Sequence, residues 1–368
     1  RRIISSSAET IRKRLQLTEH DIDADQALTF ATSGFCFSGK TLYRAIQELK
    51  CGEFAVFKTI DGAPDFRRYY RYLPSRKASE LTSTYPTALA ESLNALFSKV
   101  ADEVSGRCVV VPLSAGLDSR LIVSGLRQAG HTDIRCFAYG LPHNFEAEAS
   151  RSIAERLELP WTFVPLTPPI QCLTFQSEAC RNYVRYSGNY SSVPFQQELH
   201  SMSTLIEKGF IPRDSVVLNG QSGDFITGNH IPAELGNTTC GSNWPIVRDT
   251  LIAKHYSHWE SLKTPENQDR IDRLLKQNLQ ESGCELEGSH PPHAVYELSE
   301  YDNRQAKYVV NGQRLYEFLG LEWRLPLWGR DFVDLWRDIP VGLKLGQNLY
   351  RETLQRLNYC GVWDRLHY

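Results

Sequence analysis

Two stretches of this chain carry the residue types that hold phosphate. The first, VVVPLSAGLDSRL at residues 109–121, runs an apolar β-branched segment into a turn of small residues, Ser114, Ala115 and Gly116, and then into a helical pattern bearing Asp118 and Ser119. Such a turn leaves backbone N–H groups and two serine hydroxyls aimed at an anion at a helix N-terminus. Asp118 adds a condition: a carboxylate repels phosphate unless a cation, most simply Mg2+, bridges the two. The plain alternative is a Ser/Asp-capped helix that follows a strand and binds nothing.

The second stretch, GFCFSGKT at residues 34–41, satisfies the GxxxxGK[ST] phosphate-loop pattern through Gly34, Gly39, Lys40 and Thr41. That loop works only between a buried strand and a helix. Here the preceding ALTFAT is short and follows the acidic, helix-like DIDAD, while Phe35 and Phe37 inside the loop suit packing better than a cradle. The first stretch is therefore the better phosphate site.

The elements around it alternate. In STYPTALAESLNALFSKVADEVSG, Leu89, Leu93, Leu96, Phe97 and Val100 recur at helical spacing, with Pro86 near the start and Gly106 past the end. Cys108–Leu113 reads as a buried strand and 119–129 as a helix ended by Gly130. A strand over 134–139, a helix over 146–157 and a strand over 162–166 follow, and SVVLNG at 215–220 reads as a further strand. Repeated βα units predict a parallel sheet with helices on both faces, the doubly wound α/β class. Downstream the chain reads as mostly helical, with a polar interruption at ESGCELEGSHPPH. Before residue 80 it is mixed, with a helix-compatible start, the apolar ALTFA, and GEFAVFKTI and RRYYRYL alternating as strands do.

Bulk properties narrow the partners. The net charge is −2, with both signs interspersed, so no basic surface predicts a nucleic acid or an anionic membrane. No run reaches the ~18 apolar residues of a membrane span, and the opening RRIISSSAETIRKRLQL lacks a secretory apolar core, so a cytoplasmic location is expected. Nine cysteines without a CxxC pair read as buried free thiols rather than disulfides or zinc ligands.

The residues 114–119 resemble the SGGxDS pyrophosphate loop of the asparagine synthetase-like ATP pyrophosphatases, with Ala115 in place of the middle glycine. RCFAYGLPHNFEAEASRSIAERLELPW resembles that family's second strand and helix, LNGQSGDFITG its second metal and pyrophosphate segment, and LEWRLPLWGRDFVDLWRDIP its late ExRxP segment. The resemblance spans roughly residues 80 to 360. It implies an adenine nucleotide α-hydrolase-like sheet with a largely helical C-terminal part, and a synthetase domain over 81–368. Residues 1–80 would then be a small α+β remnant of a class II glutamine amidotransferase-like domain, whose tail 23–73 resembles.

The reaction so implied is attack of a substrate carboxylate on the α-phosphate of ATP, followed by displacement of AMP by ammonia or an amine. Ser114, Gly116 and Ser119 would hold pyrophosphate. Asp118 and Asp224 would carry Mg2+, and Leu113, Tyr139 and Gly220 would contact the adenosine at strand ends. Asp118 and Asp224, with Glu322, are the candidate catalytic residues.

Three departures stand against the family pattern. Gln221 and Phe225 occupy positions where relatives carry acidic residues; Glu322 and His230 are candidate replacements, with an Arg324 ion pair and a satisfied loop histidine as the alternatives. No lysine follows Lys344, where relatives supply one that stabilises departing charge, which leaves Arg351, Arg356 or Arg365 as substitutes. The chain begins with Arg1 rather than a nucleophilic cysteine, so either glutaminase activity is absent, with ammonia coming from a separate glutaminase or from solution, or the sequence is a fragment. Arg181, Arg185, Tyr186 and Asn189 could meet an acidic sugar, although a solvated helix face is the simpler reading. The resemblance is strongest to members linked to bacterial surface-polysaccharide synthesis, which implies a uronic acid as acceptor. The i,i+3 pairs His255/His258 and His290/His293 have no third ligand nearby in sequence and read as packing or surface groups. A degenerate homologue acting as a scaffold is the rival reading.

Overall fold

The computed structural model describes residues 2–59, 62–74, 84–236, 243–286 and 290–365. Its contacts divide the chain into two compact units: Arg1–Arg76, Val184–Pro194 and Ile231–Gly312 form one, and Lys77–Tyr183, Phe195–His230 and Gln313–Tyr368 the other. The sequence boundary at 80/81 falls in 75–83, outside the described residues.

In the first unit a two-stranded antiparallel sheet pairs β1 (Glu53–Val56) with β2 (Asp65–Arg68). The second strand thus starts and ends before the RRYYRYL stretch is complete. The unit's apolar core gathers Phe35 and Phe37 with Val247, Leu251, Tyr256, Leu275 and Tyr296. The apolar ALTFA lies in a helix, Ala24–Ser33, because Asp23 caps it by accepting the N–H groups of Asp25 and Gln26, and Gly34 at φ 84° ends it. The GxxxxGK[ST] pattern therefore follows a helix rather than a strand, and no helix starts at Thr41. Lys40 sits in an isolated bridge to Gln47, and the Thr41 hydroxyl donates to the carbonyls of Tyr43 and Ile46. Lys307 donates to the carbonyls of Phe37 and Lys40 and pairs with Glu48, so a buried cation fastens this loop as structure.

The second unit is built on a five-stranded, all-parallel sheet of β3 (Val109–Pro112), β4 (Ile134–Gly140), β5 (Trp161–Pro165), β6 (Val216–Leu218) and β7 (Glu322–Arg324), in the order β5-β4-β3-β6-β7. Four of these strands stand where the hydrophobic runs predict them, within one or two residues. Val109, Val110 and Val111 of the central strand are fully buried, each worth about 1.5–3 kcal/mol of apolar burial, which explains why β3 reads as an unbroken apolar run. The apolar core on one face joins Val110, Phe137, Val164 and Val217 to Met202, Leu205, Tyr316 and Leu321. The helix Tyr85–Glu103 buries Leu89, Leu93, Phe97 and Val100, as their spacing predicts. Strand β7 was not foreseen: EWR is three residues long, and only its register beside β6 makes it a strand.

Candidate functional site

The carboxyl end of β3 leads through Leu113 into residues 114–116 and the helix Leu117–Gln128. Gly116 is the helix N-cap and supplies no side-chain acceptor, so the first-turn N–H groups are left for another partner. The small-residue turn is held by its own hydroxyls. The Ser114 N–H donates to Ser119 Oγ at 3.0 Å, the two hydroxyls lie 3.0 Å apart, and the Gly116 N–H donates to Ser114 Oγ at 3.2 Å. Uncapped helix N–H groups and two serine hydroxyls thus converge at one strand end, an arrangement suited to an anion.

The second segment closes on the first. Beyond β6, Asn219 through Asp224 pass so near the start of Leu117–Gln128 that a Cβ on Gly220 would fall 2.7–2.8 Å from Asp118 and the Ser119 nitrogen, and one on Gly223 would fall 2.6 Å from the Asp118 carboxylate. Only glycine permits this approach. The Asp224 N–H donates to the Asp118 carboxylate, and the Tyr350 hydroxyl donates to Asp118 Oδ1 at 3.0 Å. Removal from water, then the charge of Asp224, push the Asp118 carboxyl up to about 7. Asp224 itself accepts the Phe225 N–H at 2.8 Å and lies 2.8 Å from His230 Nε2.

Two neighbouring carboxylates beside an uncapped helix terminus are hard oxygen donors of the kind Mg2+ takes. Among the described residues no three His, Cys, Asp or Glu side chains gather into a cage. Mg2+ is commonly held by one or two carboxylates together with substrate phosphates. A cation there would also offset the Asp224 charge, which adds to loss of water in raising the Asp118 carboxyl.

The structure brings together Leu113, Ser114, Gly116, Asp118, Ser119, Gly220 and Asp224. Tyr139 lies at the carboxyl end of the neighbouring β4, with its hydroxyl 3.4 Å from Glu198 Oε1. Glu322 is not brought to this place. It pairs in register with Val216, at the amino end of the sheet, and is bound by Arg107 at 3.0 Å and Arg324 at 3.2 Å. Those two guanidiniums, Arg107 first, hold its carboxyl below the usual range, so the ion-pair alternative describes it. Phe225 is a buried core ring packed edge-on to His230, and Gln221 accepts a hydrogen bond from the Gln313 amide at 2.5 Å.

The remaining candidates fall elsewhere. Arg356 donates to the Pro86 carbonyl, Arg181 donates to the Gln176 carbonyl at 2.6 Å, and Asn189 accepts the Ala8 N–H. His255 is buried 3.4 Å from Glu300, and His293 lies 3.8 Å from Glu297. Lys344 is fully buried, and its carbonyl is the atom that a Cβ on Gly228 would strike. Sequence reasoning missed Gly223, which stood in plain view beside Asp224. It also missed Tyr350, some 230 residues from Asp118 in sequence, for which no local signal exists.

With this geometry in view, the asparagine synthase family model matches residues 98–359. The chain belongs to the asparagine synthase family. Membership supports a carbon–nitrogen ligase of the ATP-dependent, amide-forming kind, taking a carboxylate and ammonia or an amine. Among solved structures it is similar to the NH3-dependent NAD synthetase of Campylobacter jejuni, at 12% identity and a TM-score of 0.30, covering 62% of this chain and 96% of that one. It is also similar to the NAD+ synthetase of Burkholderia pseudomallei, at 15% identity and a TM-score of 0.23, covering 68% and 86%. No curated protein matches the chain in sequence. No helix among the described residues is long and apolar enough to cross a membrane.

Proposed function

We propose that this asparagine synthase family member joins nitrogen to a carboxylate through an acyl-adenylate, releasing AMP and pyrophosphate. The observation that supports the reading most strongly is the Asp118–Asp224 carboxylate pair, pressed together by Gly220 and Gly223 at an uncapped helix N-terminus. Ser114, Gly116 and Ser119 are suited to hold the β- and γ-phosphates by N–H and hydroxyl donation. Those preorganised donors stabilise the charge that collects on pyrophosphate as the acyl carboxylate displaces it. Asp118 and Asp224 would carry Mg2+, which when bound neutralises phosphate charge. Leu113, Tyr139 and Gly220, at strand ends, are placed to meet adenosine. Tyr350 and the Asp224 N–H orient the Asp118 carboxylate for its task.

The acceptor we propose is a uronic acid of a surface glycan, on the resemblance of the late segments, with the reaction in the cytoplasm. Residues 1–80 we read as the remnant of a glutaminase-like domain, and ammonia or an amine as the nitrogen donor. The scaffold reading is favoured by one observation: the Asp224 carboxylate is already engaged by His230 and the Phe225 N–H.

AMP release separates the two readings. With Mg·ATP, ammonium and a panel of uronic acids, the wild type should release AMP and pyrophosphate in equal amounts. Asp118→Ala should lose at least ~10²-fold, the order seen when a charge-stabilising group is removed. AMP release unchanged in Asp118→Ala would sink the assignment, and release with no acid in the panel would support the scaffold.

A further inference from the structure

A buried relay of hydrogen bonds ties together the two strands that flank β3. Glu198, 4% exposed, precedes the helix Leu199–Glu207 and occupies its N-cap position, yet its side chain makes no capping bond there. The carboxylate instead accepts the Tyr316 hydroxyl at 2.7 Å on Oε2 and the Tyr139 hydroxyl at 3.4 Å on Oε1. Tyr316 in turn accepts from the Asn219 amide at 3.0 Å, and the Asn219 carbonyl accepts the Gln221 N–H at 2.9 Å. Tyr139 stands at the end of β4, and Asn219 directly follows β6 and precedes Gly220. Every donor in this relay points toward the one carboxylate, an arrangement in which each bond polarises the next. A glutamate buried this deeply in a mainly apolar layer has a cost that a leucine would avoid.

We propose that Glu198 is a positioning residue for the nucleoside end of the ATP site, fixing Tyr139 directly and the Asn219–Gln221 backbone through Tyr316. The inference rests on the ATP reading above. In it Glu198 touches no ligand: the carboxylate sets the spacing between the ends of β4 and β6, between which adenosine would lie, whereas pyrophosphate is held by residues 114–119. Burial pushes its carboxyl up to about 7, and the two tyrosine hydroxyls work against that rise.

Calorimetry on the full chain tests this with two ligands, Mg·ATP and Mg·pyrophosphate. Glu198→Ala and the nearly isosteric Tyr316→Phe should each weaken Mg·ATP roughly tenfold, about 1.4 kcal/mol, and leave Mg·pyrophosphate within about twofold. Glu198→Gln, which keeps one acceptor, should recover most of the loss. The double variant Glu198→Gln/Tyr316→Phe should bind Mg·ATP no more weakly than Tyr316→Phe alone, as members of one relay do. Unchanged Mg·ATP affinity in Glu198→Ala and Tyr316→Phe, or equal loss of both ligands, overturns the positioning role while leaving the ATP reading intact. A wild type that binds neither ligand overturns both, as does Asp118→Ala binding both ligands normally.

Discussion

Replacing Asp118 by asparagine should stabilise the ligand-free protein at neutral and alkaline pH while removing its grip on Mg·ATP. The asparagine carbonyl can still accept from Tyr350, so shape and that hydrogen bond survive while the charge is lost. In the native state the Asp118 carboxyl is lifted from 3.8 to about 7 by loss of water and by the Asp224 charge. Because the folded value lies above the unfolded one, the folded chain binds the extra proton between those limits. Stability therefore falls as pH rises from about 4 to about 7, and the full cost is present above that. At ~1.36 kcal/mol per unit, the ceiling is about 4 kcal/mol; with some water reaching the group, about 2–4 kcal/mol is expected. At roughly 2–4 °C per kcal/mol, the variant should melt several degrees above wild type at pH 8 and about equal to it at pH 4. Thermal melts across this range, without nucleotide, read this directly. A variant that melts below wild type at pH 8, or a wild-type to variant difference independent of pH, would refute the reasoning that loss of water and the Asp224 charge raise the Asp118 carboxyl.

Three further outcomes follow from particular contacts. Gly220→Ala places a Cβ within 2.7–2.8 Å of helix backbone atoms and should cost ~1–3 kcal/mol and abolish Mg·ATP binding, measured by melting and calorimetry. Glu322→Gln, on an exposed ion pair at the amino end of the sheet, should leave the melting temperature nearly unchanged and AMP release within about twofold; a large drop in turnover would restore it to the site. Lys307→Met leaves Glu48 and the carbonyls of Phe37 and Lys40 without their buried cation and should cost ~3–5 kcal/mol in melting experiments.

The sheet was legible because a parallel strand buried on both faces must be apolar throughout: Val109–Val111 and Val216–Leu218 announce themselves. Strand β7 did not, since three residues carry no periodicity and its pairing is decided by β6. Asp118 and Asp224 could be found because each sits in a short segment whose small residues serve one backbone geometry. Glu322 was misplaced for the opposite reason. A carboxylate four residues before a Pro in an otherwise plausible motif gives no hint of which end of the sheet it occupies, and register alone, Val216 opposite Glu322, decides it. Glu198 and Tyr350 were invisible because their partners, Tyr316 and Asp118, lie more than a hundred residues away and meet them only through packing. Conversely, the GxxxxGK[ST] match was legible as letters and void as structure, because the Asp23 cap turns its upstream segment into a helix.

The central claim is that Mg·ATP binds where residues 114–119 meet residues 220–224. Calorimetric titration of Mg·ATP into the wild type, Asp118→Ala and Lys40→Ala tests it most directly. The wild type should bind, Lys40→Ala should bind equally well, and Asp118→Ala alone should lose binding. Loss in Lys40→Ala with Asp118→Ala unaffected would contradict it.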